Sequence, residues 1–154
     1  DSATEAAAPV PITYGVTVVG YLRAETGVGQ IARNIIACLQ DVDFAVNGYL
    51  LDAGNAYRQQ DGSVDAARER ADRYVQIFNV NADQSHLVYH SLGPAFYARH
   101  FNIGYWFWEL AEFPDVWQSA FDLYDEIWVA SKFVHDAIQP KTTKPVRIVP
   151  VSTA

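Results

Sequence analysis

Hydrophobic and polar positions alternate along the chain in two periods, and the alternation predicts strands and helices in turn. Residues 16–21, Val-Thr-Val-Val-Gly-Tyr, read as a first strand. A turn containing Thr26-Gly27-Val28-Gly29 follows, then a helix from about Gln30 with Ile31, Ala32, Ile35, Ile36 and Leu39 on one side. Residues 44–51 predict a second strand. After a polar loop, Ser63 can cap a helix whose inner face holds Val64, Ala67, Ala71 and Tyr74. Its outer face would carry Arg68, Glu69, Arg70, Asp72 and Arg73, a mixed-charge run suited to solvent.

A third strand is predicted over 75–80, ending in Asn79-Val80-Asn81-Ala82-Asp83-Gln84. His86 to His90 alone could form a short strand, but Ser85 as N-cap and Gly93-Pro94 as a stop favour a helix. The fourth strand is the aromatic run 102–110, Asn-Ile-Gly-Tyr-Trp-Phe-Trp-Glu-Leu, which reads as buried on both faces and ends on Glu109. Pro114 and Asp115 suit the first turn of a helix with Val116, Trp117, Ala120, Phe121 and Tyr124 inside. A strand over 126–130, a helix over 132–139 capped by Ser131 and stopped by Pro140, and a strand over 146–151 complete the pattern.

The strict alternation, without an Asn-Gly hairpin signal, predicts an α/β fold. Its form is a Rossmann-like, open, mainly parallel sheet of about six strands with helices on both faces. Residues 1–14, Ala-rich with two prolines, read as a linker or disordered end, and 15–154 as one domain. The missing methionine at position 1 and the stop just after a strand suggest a piece of something longer.

Half the residues are hydrophobic and the formal charge is -7, so the chain is globular but has no basic patch for phosphodiester backbones. Nucleic acid is therefore not an expected partner. A small anion remains possible, because backbone amides can hold phosphate without net positive charge. The lone Cys38 excludes an internal disulfide, and its apolar neighbours suit a small buried hydrophobe. No apolar run reaches the length of a membrane span.

The candidate chemistry gathers where strands end. Gly27 and Gly29, between strand and helix, let backbone approach a ligand and sit beside the helix's unpaired amides. A plain tight turn has the same residues, and the spacing lacks the third glycine of the dinucleotide pattern. Asn81 and Asp83 end the third strand and Glu109 the fourth, so parallel strands put them on the rim of the glycine turn. Asx turns and capping account for Asn81 and Asp83 equally well. Trp108, beside the carboxylate, is the aromatic that could face a sugar. Asp125-Glu126 lies at a strand start, on the opposite rim, and reads as solvated. His86, His90, His100 and His135 show no metal-ligand spacing and read as surface or helix-flank residues.

Segments 20–29 (Gly-Tyr-Leu-Arg-Ala-Glu-Thr-Gly-Val-Gly), 80–84, 102–110, 125–134 (Asp-Glu-Ile-Trp-Val-Ala-Ser-Lys-Phe-Val) and 145–150 together resemble bacterial group 1 glycosyltransferases of the family 4 type, with the GT-B fold. The resemblance covers nearly everything after residue 14 and matches the N-terminal, acceptor-side half. It implies a retaining transferase that moves a sugar from a nucleotide-sugar to an acceptor hydroxyl without a metal or other cofactor. It further implies a C-terminal donor-binding domain, not contained in this chain, and no turnover without it. By family position, Gly27 and Gly29 would approach the donor diphosphate, and Glu109, backed by Asn81 and Asp83, the acceptor sugar or reacting centre. The implied setting is cytoplasmic or peripheral at the inner membrane face. Two other readings stand beside it: a non-catalytic nucleotide or phosphosugar binding module, and self-association through an exposed cleft face.

Overall fold

The structure is a computed structural model. It describes residues 11–21, 27–51, 72–107 and 112–151, with backbone alone for residues 27 and 28. Six strands form one sheet in the order β2-β1-β3-β4-β5-β6, and every neighbouring pair is parallel. They are β1 Ile12–Gly20, β2 Val46–Leu50, β3 Asp72–Phe78, β4 Phe101–Tyr105, β5 Glu126–Val129 and β6 Val146–Ile148. The helices are α1 Gly27–Asp41, α2 Ala82–Leu92, α3 Pro94–Tyr97 and α4 Lys132–Ile138; a 3-10 helix, Asp115–Leu123, joins β4 to β5. The predicted fold class is therefore the observed one.

Parallel strands are buried on both faces, and two clusters supply the cover. On one face Val16, Val18, Ile77, Ile103 and Tyr105 pack with Ala32 and Ile36 of α1. On the other, Val19, Phe78, Ile127 and Val129 meet α2, the 3-10 helix and α4 through Val88, Phe121 and Val134. Of the described aromatics in the 102–110 run, Tyr105 and Trp106 are core, each 1% exposed, and Phe107 is half-buried. Trp106 stacks on Phe113 with ring centroids 5.5 Å apart.

Several boundaries differ from the sequence reading, each for a local reason. β1 begins at Ile12, inside the stretch expected to be a linker, and crosses a register shift between Thr13 and Val16. Gly15 makes that bulge with φ +131°, where a Cβ would lie 2.6 Å from the Ala45 carbonyl, so the period breaks without ending the strand. β3 takes in Asp72, Arg73 and Tyr74, which the helical pattern had claimed. Arg73 donates to the Tyr14 carbonyl at 3.0 Å, and Asp72 accepts from His100 at 2.7 Å. His100 is thus a paired ring with only 5% of its side chain exposed, not a surface histidine. The other members of that expected helix, residues 63–71, lie outside the described residues.

Ser85 is not an N-cap; α2 starts three residues earlier at Ala82, and Ser85 is fully buried inside it. The element after Pro114 is 3-10 and not α, so the 3.6-residue face does not hold: Val116 is 77% exposed while Ala120, Phe121 and Tyr124 are buried. Glu126 is not solvated; it lies buried in β5, ion-paired to Arg147 of β6. Cys38 is half-buried.

Candidate functional site

Because every strand points the same way, the segments leaving β1, β3 and β4 emerge on a common rim. The chain moves from β1 outward to β2 and then returns past β1 to β3, so the order reverses between β1 and β3. At such a reversal the neighbouring loops diverge to opposite faces and leave a crevice beyond the carboxyl ends, the usual ligand position in open α/β sheets.

Gly20 closes β1 at this point. A Cβ placed there would stand 3.4 Å from the Asn79 Cβ and 3.6 Å from the Ala32 Cβ, so the end of β1, the exit of β3 and the body of α1 are in contact range. Tyr21 follows, and burial raises its hydroxyl pKa. Gly27 is the first residue of α1 and Gly29 the third, so both lie in the helix's opening turn and not in the turn ahead of it. Gly29 is buried. The fifteen-residue helix thus directs its positive dipole end to the rim. Arg33, one turn further, is 4% exposed and donates to the Gln30 side chain at 2.8 Å. The sequence reading passed over it, although its spacing of four from Gly29 and three from Ile36 places it on the buried stripe.

β3 exits through Asn79, Val80 and Asn81. Asn79 is 1% exposed, and its amide donates to the Val19 carbonyl at 2.9 Å, continuing the β1–β3 ladder one step past the strand. Asn81 sits in the N-cap position of α2 but makes no side-chain cap bond. Its Oδ1 instead accepts the backbone N–H of Phe107, two residues beyond β4, at 2.7 Å. Asp83 is exposed in the first turn of α2, where a carboxylate complements the helix dipole.

The fourth strand stops at Tyr105, four residues short of Glu109. Its last pairing is with Trp128; the Trp106 amide still donates to the Trp128 carbonyl at 2.9 Å, after which Phe107 turns to Asn81. Trp108 and Glu109 lie outside the described residues. Among the predicted site residues, Gly27, Gly29, Asn81 and Asp83 are therefore carried by the segments after β1 and β3, and the chain leading to Trp108 and Glu109 is tied to Asn81. What the sequence reading missed here is Asn79, Arg33 and the Phe107 amide. A buried asparagine at a strand end and an arginine on an apolar stripe are visible signals; a backbone donor is not.

The opposite rim differs in character. A cavity of about 320 Å³ lies there, lined by residues including Tyr97, His100, Asn102, Asp125 and Lys144. Several of its polar groups are engaged: the Asn102 backbone amide donates to Asp125 at 2.7 Å, and Lys144 donates to the carbonyls of Phe121 and Tyr124. Among the described residues no group of three or more His, Cys, Asp or Glu is disposed to hold a metal ion, and no helix is long and apolar enough to cross a membrane. Comparison with protein-family models finds no matching family, and comparison with curated proteins finds no match.

Proposed function

We propose that this chain is the acceptor-binding half of a retaining glycosyltransferase, moving a sugar from a nucleotide-sugar to an acceptor hydroxyl. The observation that carries the reading is the reversal of an all-parallel sheet at β1/β3, with the segments after β1, β3 and β4 leaving on one rim. Transfer of this kind needs an acceptor hydroxyl held near the anomeric carbon and stabilisation of charge on the departing diphosphate. The opening turn of α1, at Gly27 and Gly29, suits the second task through its backbone and dipole. Glu109 suits the first by accepting a hydrogen bond from a sugar hydroxyl. In this reading Asn81 and Asp83 would back Glu109, and Trp108 would give the acceptor sugar an aromatic partner.

The test is a screen of the full-length gene product for transfer from a panel of nucleotide-sugars. Glu109→Ala is expected to lower transfer by about a hundredfold, the scale of a lost general base or hydroxyl-orienting group, with nucleotide binding retained. Collapse of donor affinity with acceptor affinity unchanged would assign Glu109 to the other substrate. The second reading, a binding module without chemistry, draws on the same α1 dipole end. Nucleotide or phosphosugar binding by a gene product that transfers nothing would favour it.

A further inference from the structure

We infer that Asn81 is a positioning residue, which sets the path of the segment after β4 through the Phe107 amide; the functional side of this rests on the acceptor-facing reading of that segment. The contact is chemically unambiguous. A backbone N–H can only donate, so the atom of the Asn81 carboxamide that faces Phe107 at 2.7 Å must be the oxygen. Asparagine in an N-cap position ordinarily turns its oxygen to the helix's own first amides. Here it makes no such bond, and the oxygen serves the neighbouring segment instead.

Asn81 is itself held firmly enough to act as an anchor. Its carbonyl accepts from the Gln84 amide at 3.0 Å and from the Ser85 hydroxyl at 2.9 Å. Ser85 Oγ lies 2.7 Å from the Tyr124 hydroxyl, and both residues are buried. The Phe107 amide is thus linked through Asn81 and Ser85 to the packed end of the 3-10 helix. On the other side of the same segment, the preceding amide, Trp106, is held by the Trp128 carbonyl at 2.9 Å. Two successive amides are therefore fixed to different neighbours, one to β5 and one to the exit of β3. Glu109 follows two residues later in the sequence, a reach of at most about 7 Å, so the anchor at Phe107 bounds where its carboxylate can lie.

The experiment pairs Asn81→Ala with Asn81→Asp. The alanine removes the acceptor; the aspartate keeps an oxygen within reach of the Phe107 amide. Hydrogen exchange in this chain reads the contact, and steady-state transfer by the full-length gene product reads its consequence. Asn81→Ala is expected to speed exchange at Phe107 and to raise the acceptor KM, each by about tenfold, the worth of one hydrogen bond. Exchange at Ile103 and the donor KM should stay unmoved. Asn81→Asp should restore protection at Phe107 and most of the acceptor affinity. Unchanged exchange at Phe107 in the alanine variant overturns the positioning role. So does an aspartate variant that protects Phe107 yet binds acceptor as poorly as alanine, since Asn81 would then touch the substrate through Nδ2. Absence of transfer by the unmodified protein would instead remove the glycosyltransferase reading, with the exchange data still deciding the contact.

Discussion

Gly104 shows how little room single residues have in the layer beneath the rim. A Cβ at this position would lie 2.9 Å from Trp106 Nε1 and 3.0 Å from Tyr124 Cδ2, and both rings are buried within an aromatic cluster that cannot swing aside. Gly104→Ala is expected to destabilise the fold by about 1–3 kcal/mol, read as a lower urea midpoint at constant slope. The same cluster makes the protein sensitive to alkali. Burial holds the Tyr124 phenol up at about 12, with its hydrogen bond to the Ser85 hydroxyl pulling the other way, and burial raises Tyr97, Tyr105 and Tyr21 as well. An unfolded tyrosine ionises near 10, so the neutral folded forms contribute their stability in full below that pH. The contribution is lost as pH rises from about 10 towards 12. Denaturant midpoints should therefore fall steeply over that window, and Tyr124→Phe should shed part of the fall. At this scale the sequence shows which residues are candidates but not how they are used. Asn81 stands out as a polar strand end, yet whether its oxygen caps α2 or holds Phe107 depends on β4 arriving beside it, which is a tertiary event.

Elements were legible where a local signal and the packing agree. Ser131 is such a case: it precedes an apolar run, and its side chain accepts from the Val134 amide at 3.3 Å as the cap of α4. Ser131→Ala should cost about 1 kcal/mol, measurable as a shift in the thermal or urea midpoint. A variant indistinguishable from the parent would mean that this long hydrogen bond contributes nothing. Legibility fails where partners distant in sequence decide. β1 continues through Gly15 because Thr13 has Asp72 and Arg73 beside it, and Tyr14 is held by Arg73. The segment after Pro114 closes as a 3-10 helix whose last carbonyls are taken by Lys144, from the approach to β6. Neither partner lies within a sequence window that periodicity can examine. The aromatic run 102–110 was read as one long strand because burial on both faces erases the period that would mark its end.

For the whole molecule, strand order is what gives the rim its rigidity. The segments on which the proposed site depends leave β1, β3 and β4, three of the four inner strands, while the sheet's edges are β2 and the three-residue β6. Alternation of strands and helices in sequence made the parallel sheet readable, but not which strands would be central; that follows from the return past β1, which no local pattern records. Inner strands carry ladders on both sides and a core on both faces, so they should open only with the whole fold, whereas an edge strand can open by itself. Native-state hydrogen exchange in mild denaturant is expected to place the amides of Ile77, Phe78 and Ile103 on the global unfolding isotherm. The β6 amides and those of Tyr49 and Leu50 in β2 should exchange at lower free energy. A site seated on the inner strands would then keep its geometry through the fluctuations that loosen the edges, as precise positioning of an acceptor requires. If β3 and β4 exchange no more slowly than β6, the fold opens as one unit and the rim has no firmer base than the rest of the sheet.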